Sequence, residues 1–167
     1  PAAGVVPFAI NTGQWADGTT AERFVAVPGD GAIVLKKPAG RVPVGWGEFP
    51  QDTVLVKTIS YETRAGDPDS RRRIETQVLH IQGEKWRGNS GEWSGYTYVW
   101  NEDQTDATLA PAEGQDLKFE ISDSKSPDGR RTLDWRIFSR SKCYACHNPW
   151  AGYRLAFTAR QLNRTRN

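Results

Sequence analysis

The sequence predicts a mainly β domain, sandwich- or barrel-like, of short strands joined by many turns, with a short helical segment near the C-terminus. Three observations carry this reading. Ten Pro and sixteen Gly in 167 residues punctuate the chain too often for long helices. Several short stretches combine β-branched and aromatic residues with alternating polarity. Clusters of Gly, Asp, Asn, Ser and Pro separate those stretches.

Taken in order, Thr53 to Tyr61 is β-branched with no helical period, and its Val54-Leu55-Val56 centre implies a strand buried on both faces. Glu75 to Gln82 alternates, with Thr76, Val78 and His80 on one face and Leu79 and Ile81 on the other. Gly95 to Trp100 sets Tyr96, Tyr98 and Trp100 on a common face, and Leu117 to Ile121 and Leu133 to Phe138 are further strands. Turns are expected at Gly29-Asp30-Gly31, at residues 65–69, at Gly88-Asn89-Ser90-Gly91 and at Ser126-Pro127-Asp128-Gly129. The helical pattern comes late, over about 151–162, where Leu155, Ala159 and Leu162 fall at helix spacing. No linker or repeat divides the chain, so residues 1–167 read as one domain.

Composition excludes several classes. With 37% hydrophobic residues and a mean hydropathy of −0.66, no apolar run approaches the roughly 20 residues of a membrane span. The 11% aromatic content, seven Trp among it, argues against a disordered tail. A net charge of +2 is too mild to argue for nucleic acid, and a monomer is expected. The charge is uneven, however: residues 130 to 167 hold nine Lys or Arg against Asp134 alone, giving +8, and residues 1 to 129 carry −6.

The two cysteines lie in that basic end, in Cys143-Tyr144-Ala145-Cys146-His147. This is the C-x-x-C-H signature of c-type haem attachment. Two thiols add across the haem vinyl groups, and the adjacent histidine ligates the iron as the proximal ligand. A redox disulfide is the poorer reading, because no βαβ pattern accompanies the motif. Zinc would want four ligands, and only His80 remains to join the three in the motif. One covalently bound haem c is therefore expected, held by Cys143, Cys146 and His147. Such haem is normally installed outside the bacterial cytoplasm, so a periplasmic or extracellular, secreted location is expected. The start at Pro1-Ala2-Ala3 reads as a mature or excised piece.

The motif stands too late, and the strands are too many, for an all-helical cytochrome fold. Met is absent, so a His/Met iron site cannot form, and the remaining nitrogen donors are His80, seven Lys and the chain terminus. His80, the other histidine, is the first candidate for distal metal ligand. Lys57, set in an apolar strand, is its rival, since burying an ammonium is costly unless it is paired or deprotonated. An empty distal position is the third option. Arg140, Lys142 and Arg154 flank the motif and are candidates for pairing with haem propionates.

Beyond the motif, a series of segments resembles one family. They are Phe8-Ala9-Ile10-Asn11-Thr12, Trp15-Ala16-Asp17-Gly18, Glu22-Arg23-Phe24, Phe49-Pro50, Thr53 to Thr58, Arg73 to Thr76, Gly95 to Asn101, Gln104 to Ala107, and Cys143 to His147 followed by Gln161-Leu162-Asn163. Together they resemble secreted bacterial monohaem cytochrome c-like domains of large proteins associated with polysaccharide degradation, some fused to carbohydrate-binding modules. The resemblance implies a one-electron carrier whose redox partner is a secreted enzyme such as a copper-dependent lytic polysaccharide monooxygenase. It implies no catalytic residues. Two alternatives stand beside it: a haem enzyme or gas or redox sensor with an open distal site, and a polysaccharide-binding module whose aromatics stack on sugars.

Overall fold

The computed structural model describes residues 2–35, 47–82, 92–148, 151 and 153–164. Ten strands dominate it: β1 Val5–Pro7, β2 Thr20–Ala26, β3 Val34–Leu35, β4 Gly47–Glu48, β5 Val54–Glu62, β6 Arg71–Gln82, β7 Glu92–Trp100, β8 Ala107–Leu109, β9 Gln115–Ser122 and β10 Arg130–Ile137. Two short helices follow, α1 Arg140–Cys146 and α2 Ala159–Leu162. The expectation of a mainly β domain with a short C-terminal helix holds.

Six strands form one antiparallel sheet in the order β1-β2-β5-β6-β7-β8, β9 and β10 form a hairpin, and β3 and β4 form a small ribbon. The hairpin alternates strictly, with Phe119, Ile121, Leu133, Trp135 and Ile137 turned inward and Lys118, Glu120, Thr132, Asp134 and Arg136 turned to solvent. Its inner face packs on Ile59, Tyr61 and Ile74 of the large sheet, which gives a sandwich-like first core. A second core gathers Val25, Phe49, Leu55, Ile81 and Trp93, with Tyr153 and Phe157 packed against it. Burying such apolar surface drives the fold at about 25 cal/mol per Å².

Strand register fixes what lies between the cores. One row across the sheet reads Val25, Leu55, Leu79, Gly95, and another reads Ala21, Ile59, Glu75, Val99. Between them runs Arg23, Lys57, Gln77, Thr97, all half-buried. Side chains alternate along a strand, so these three rows share one face. The opposite face carries Phe24, Val56, Val78 and Tyr96 in one row and Glu22, Thr58, Thr76 and Tyr98 in the next.

Two expectations need correction. β5 is buried on both faces, but over Thr58 to Tyr61 rather than at its Val54-Leu55-Val56 stretch, where Leu55 is buried and Val54 and Val56 are only half-buried. Among the described residues of 151–162 the α-helix is Ala159–Leu162, because Tyr153 takes a left-handed backbone with φ 60° and residues 154 to 157 close a turn through Phe157 N–H donating to the Arg154 carbonyl. The helix that carries the motif is α1, upstream of it. The expected turn at 88–91 lies outside the described residues. Among the described residues no helix is long and apolar enough to cross a membrane.

Candidate haem-attachment site

α1 is placed by a turn that only glycine allows. Gly114 has φ 78°, and a Cβ there would stand 2.1 Å from the Ile137 carbonyl oxygen and 2.8 Å from the Ser139 nitrogen. This close approach lets the Arg140 N–H donate to the Ala112 carbonyl at 2.8 Å as the helix starts. Pairing beyond β8 stops with Ala110 N–H donating to the Thr97 carbonyl at 2.8 Å, so residues 92 to 96 of β7 extend past it, and α1 lies against β7. There the Tyr144 hydroxyl donates to the Trp93 carbonyl at 3.0 Å. Cys143 sits directly on Gly95, where an added methyl would come within 3.2 Å of its Cβ and 3.3 Å of its Sγ.

The motif residues have distinct surroundings. Cys143 is half-buried and Cys146 exposed, and both are free thiols. Burial pushes the Cys143 thiol up, with a smaller upward effect from the Glu75 charge. His147 caps the helix, its N–H donating to the Cys143 carbonyl at 2.8 Å. Its ring Nδ1 lies 2.6 Å from the Tyr153 carbonyl oxygen. A carbonyl only accepts, so Nδ1 carries the proton and Nε2 keeps its lone pair for a metal. Burial lowers the imidazole's pKa, the bond to Tyr153 opposes this, and the Lys57 charge lowers it further. The kink that aims this carbonyl is the left-handed Tyr153, whose N–H donates to the Asn148 carbonyl at 2.9 Å.

Lys57 shares the face on which Cys143 sits. The methyl imagined on Gly95 would lie 3.8 Å from Leu79 Cδ2, so Leu79 points to the Cys143 side, and register puts Lys57 there too. Burial lowers the Lys57 pKa, Arg23 lowers it further, and Glu75 opposes both. Glu75 itself is 2% exposed and accepts from Trp135 Nε1 at 3.2 Å and from Gln77 Nε2 at 3.0 Å.

His80 lies elsewhere. It follows Leu79 and therefore points through the opposite face, where its Nε2 lies 3.3 Å from Asp52 Oδ1 and its Nδ1 accepts from Gln82 Nε2 at 3.4 Å. The sheet lies between it and Cys143, whereas register puts Lys57 on the Cys143 face. Among the described residues no group of three His, Cys, Asp or Glu is placed to hold a bare metal ion.

The donor set fits a covalent haem. Two free thiols three residues apart on one helix, an imidazole with its metal-binding nitrogen free, and an amine whose pKa burial lowers share one region of the sheet face. The contact of Gly95 with Cys143, the carbonyl of Tyr153 and the half-buried row around Lys57 become visible only through register and backbone angles. Comparison with protein-family models, curated proteins and solved structures finds no match for the chain.

Proposed function

We propose that this chain is a monohaem c-type cytochrome domain that transfers single electrons. The observation that carries the reading is the C-x-x-C-H motif with His147 Nδ1 donating to the Tyr153 carbonyl, which leaves Nε2 as the iron-binding atom. The bound haem supplies a one-electron couple. Cys143 and Cys146 hold it as thioethers. Tyr153 fixes the tautomer and orientation of His147. Gly95 lets Cys143 approach the sheet, and the apolar cores on either side of the Lys57 row exclude water.

Lys57 is the distal ligand in this reading. Its burial favours the neutral amine, the form with a lone pair to donate. A second reading keeps the distal position open, so that Arg23, Lys57 and Gln77 form a polar pocket for a small ligand; the half-burial of that whole row favours it. The sequence resemblance adds a secreted copper-dependent polysaccharide monooxygenase as the redox partner and a periplasmic or extracellular location.

The test is the chain produced with a haem-attachment system. Expected are a mass equal to polypeptide plus one haem, resistance to acid-acetone extraction, and a six-coordinate low-spin spectrum. A mass equal to the bare polypeptide refutes the cytochrome reading, and a high-spin spectrum that shifts with carbon monoxide selects the open-site alternative.

A further inference from the structure

Glu75 is an acid buried between the hairpin and the sheet with only neutral support. It is 2% exposed, and its two hydrogen bonds, from Trp135 Nε1 at 3.2 Å and from Gln77 Nε2 at 3.0 Å, both fall on Oε1. Among the described residues Oε2 accepts no hydrogen bond and no ion pair reaches the carboxyl. A buried carboxylate held this way is costly, and one proton on Oε2 removes the charge. Burial accordingly raises the Glu75 pKa, against the bonds from Trp135 and Gln77 and the charge of Lys57.

The group is within electrostatic reach of the motif. Its charge acts on the Cys143 thiol and on Lys57. Gln77, which donates to it, stands opposite Lys57 on one side and opposite Thr97 on the other. Thr97 in turn lines a crevice with Gly95, Ala110, Arg140 and Cys143, so the crevice beside the motif borders the row that holds Gln77. The titratable groups on the sheet face are Lys57 and Arg23 on one side of Glu75 and, beyond Ile59, Tyr61 and Arg72 on the other. The hairpin is apolar around Trp135 and carries Arg131, paired with Asp123, at the start of β10. β7 brings Thr97 and Val99, and α1 brings Cys143 and the exposed Arg140.

Loading with haem changes what Glu75 faces. As an iron ligand Lys57 is neutral, so the positive neighbour of Glu75 is then the ferric iron, whose extra charge is lost on reduction. Resting on the haem reading above, we propose that Glu75 takes one proton from solvent onto Oε2 as the iron takes one electron from a one-electron donor, and returns it on oxidation, so that the domain carries a proton with its electron. The iron goes from ferric to ferrous while the carboxylate becomes a carboxylic acid, and the net charge of the site is conserved.

The test is the midpoint potential of the haem-loaded chain across pH, by mediated redox titration, in wild type, Glu75→Gln and Trp135→Phe, each checked by mass for covalent haem. The wild-type potential should fall as pH rises through the window in which Glu75 titrates, by up to a factor of ten in the one-electron equilibrium per pH unit, about 59 mV. Glu75→Gln should be flat there. Trp135→Phe removes a donor to the carboxylate, so its window should move to higher pH, and it decides the matter if Glu75→Gln fails to fold. A slope in Glu75→Gln equal to that of wild type places the proton elsewhere and overturns the proposal. A flat wild-type profile, or a window unmoved in Trp135→Phe, overturns it as well, and each of these leaves the cytochrome reading intact. A wild-type chain without covalent haem overturns that underlying reading instead.

Discussion

Removing Lys57 and removing His80 should have opposite consequences for the haem-loaded protein. His80 is 29% exposed on its side chain, and its partner Asp52 is 61% exposed, at 3.3 Å. Exposed pairs of this kind contribute about 0.2 to 1 kcal/mol, so His80→Ala should cost no more than about 1 kcal/mol and leave the haem spectrum as it was. Lys57 lies on the other face, with Arg23 beside it in the next strand. It is only half-buried, so Lys57→Ala should keep the fold while vacating an iron position. The assay is carbon monoxide difference spectroscopy on the reduced protein, with urea unfolding in parallel. Wild type and His80→Ala should take up no carbon monoxide, and Lys57→Ala should take up one equivalent. Uptake by His80→Ala, or none by Lys57→Ala with the low-spin spectrum kept, refutes the assignment of faces to ligands.

Three further outcomes follow from the same structure. Burial raises the Glu75 pKa, so its contribution to stability is full below the unfolded pKa of a carboxylate and is lost as pH rises through the folded one. Glu75→Gln should therefore gain in urea midpoint relative to wild type as pH rises through that window, and an unchanged difference across pH would contradict it. Gly95→Ala should cost about 1 to 3 kcal/mol, because its methyl meets Cys143 at 3.2 Å, and should lower the yield of covalent haem measured by mass. Ile137→Ala, at 0% exposure, should cost about 2 to 5 kcal/mol by chemical denaturation without moving the haem spectrum.

The central strands were legible because each stretch is β-branched or alternating, as in Thr53 to Tyr61 against the observed Val54–Glu62. β2 and the first third of β6 were not, because Glu22 and Arg23, and Arg71 to Arg73, put consecutive charges where a strand would show alternation. In the fold Arg73 lies over the Trp100 ring at 3.6 Å, which makes it part of a packed surface. α1 has no apolar period at all and is set by Gly114 and by the β7 edge. For the site, spacing was enough to single out Cys143, Cys146 and His147, which the fold places on α1 and its C-terminal cap. The face of the sheet that meets the motif was not legible for a physical reason: a period of two says which residues of one strand share a face, but not which face meets a segment about 60 residues away. That information sits in the contact of Gly95 with Cys143.

Electron transfer to an acidic partner should depend on salt only weakly, although the C-terminal segment carries +8. Much of that charge is engaged inside the molecule. Arg131 pairs with Asp123 at 3.3 Å, Arg136 pairs with Asp116 at 2.9 Å, and Arg154 is buried. On α1 itself the exposed cations are Arg140 and Lys142, beside the exposed Cys146. Steering acts through charges near the docking surface and is screened over about 10 Å at 0.1 M salt. The salt slope of the rate with an acidic acceptor should thus fall when Arg140 and Lys142 are both changed to Gln and stay put in Arg136→Gln. Stopped-flow measurements with an acidic and a basic acceptor across a salt series separate the cases. If Arg136→Gln lowers the slope as much as the double variant, the long-range charge of the whole segment governs approach. Equal slopes for both acceptors in the wild type would dismiss steering from α1 altogether.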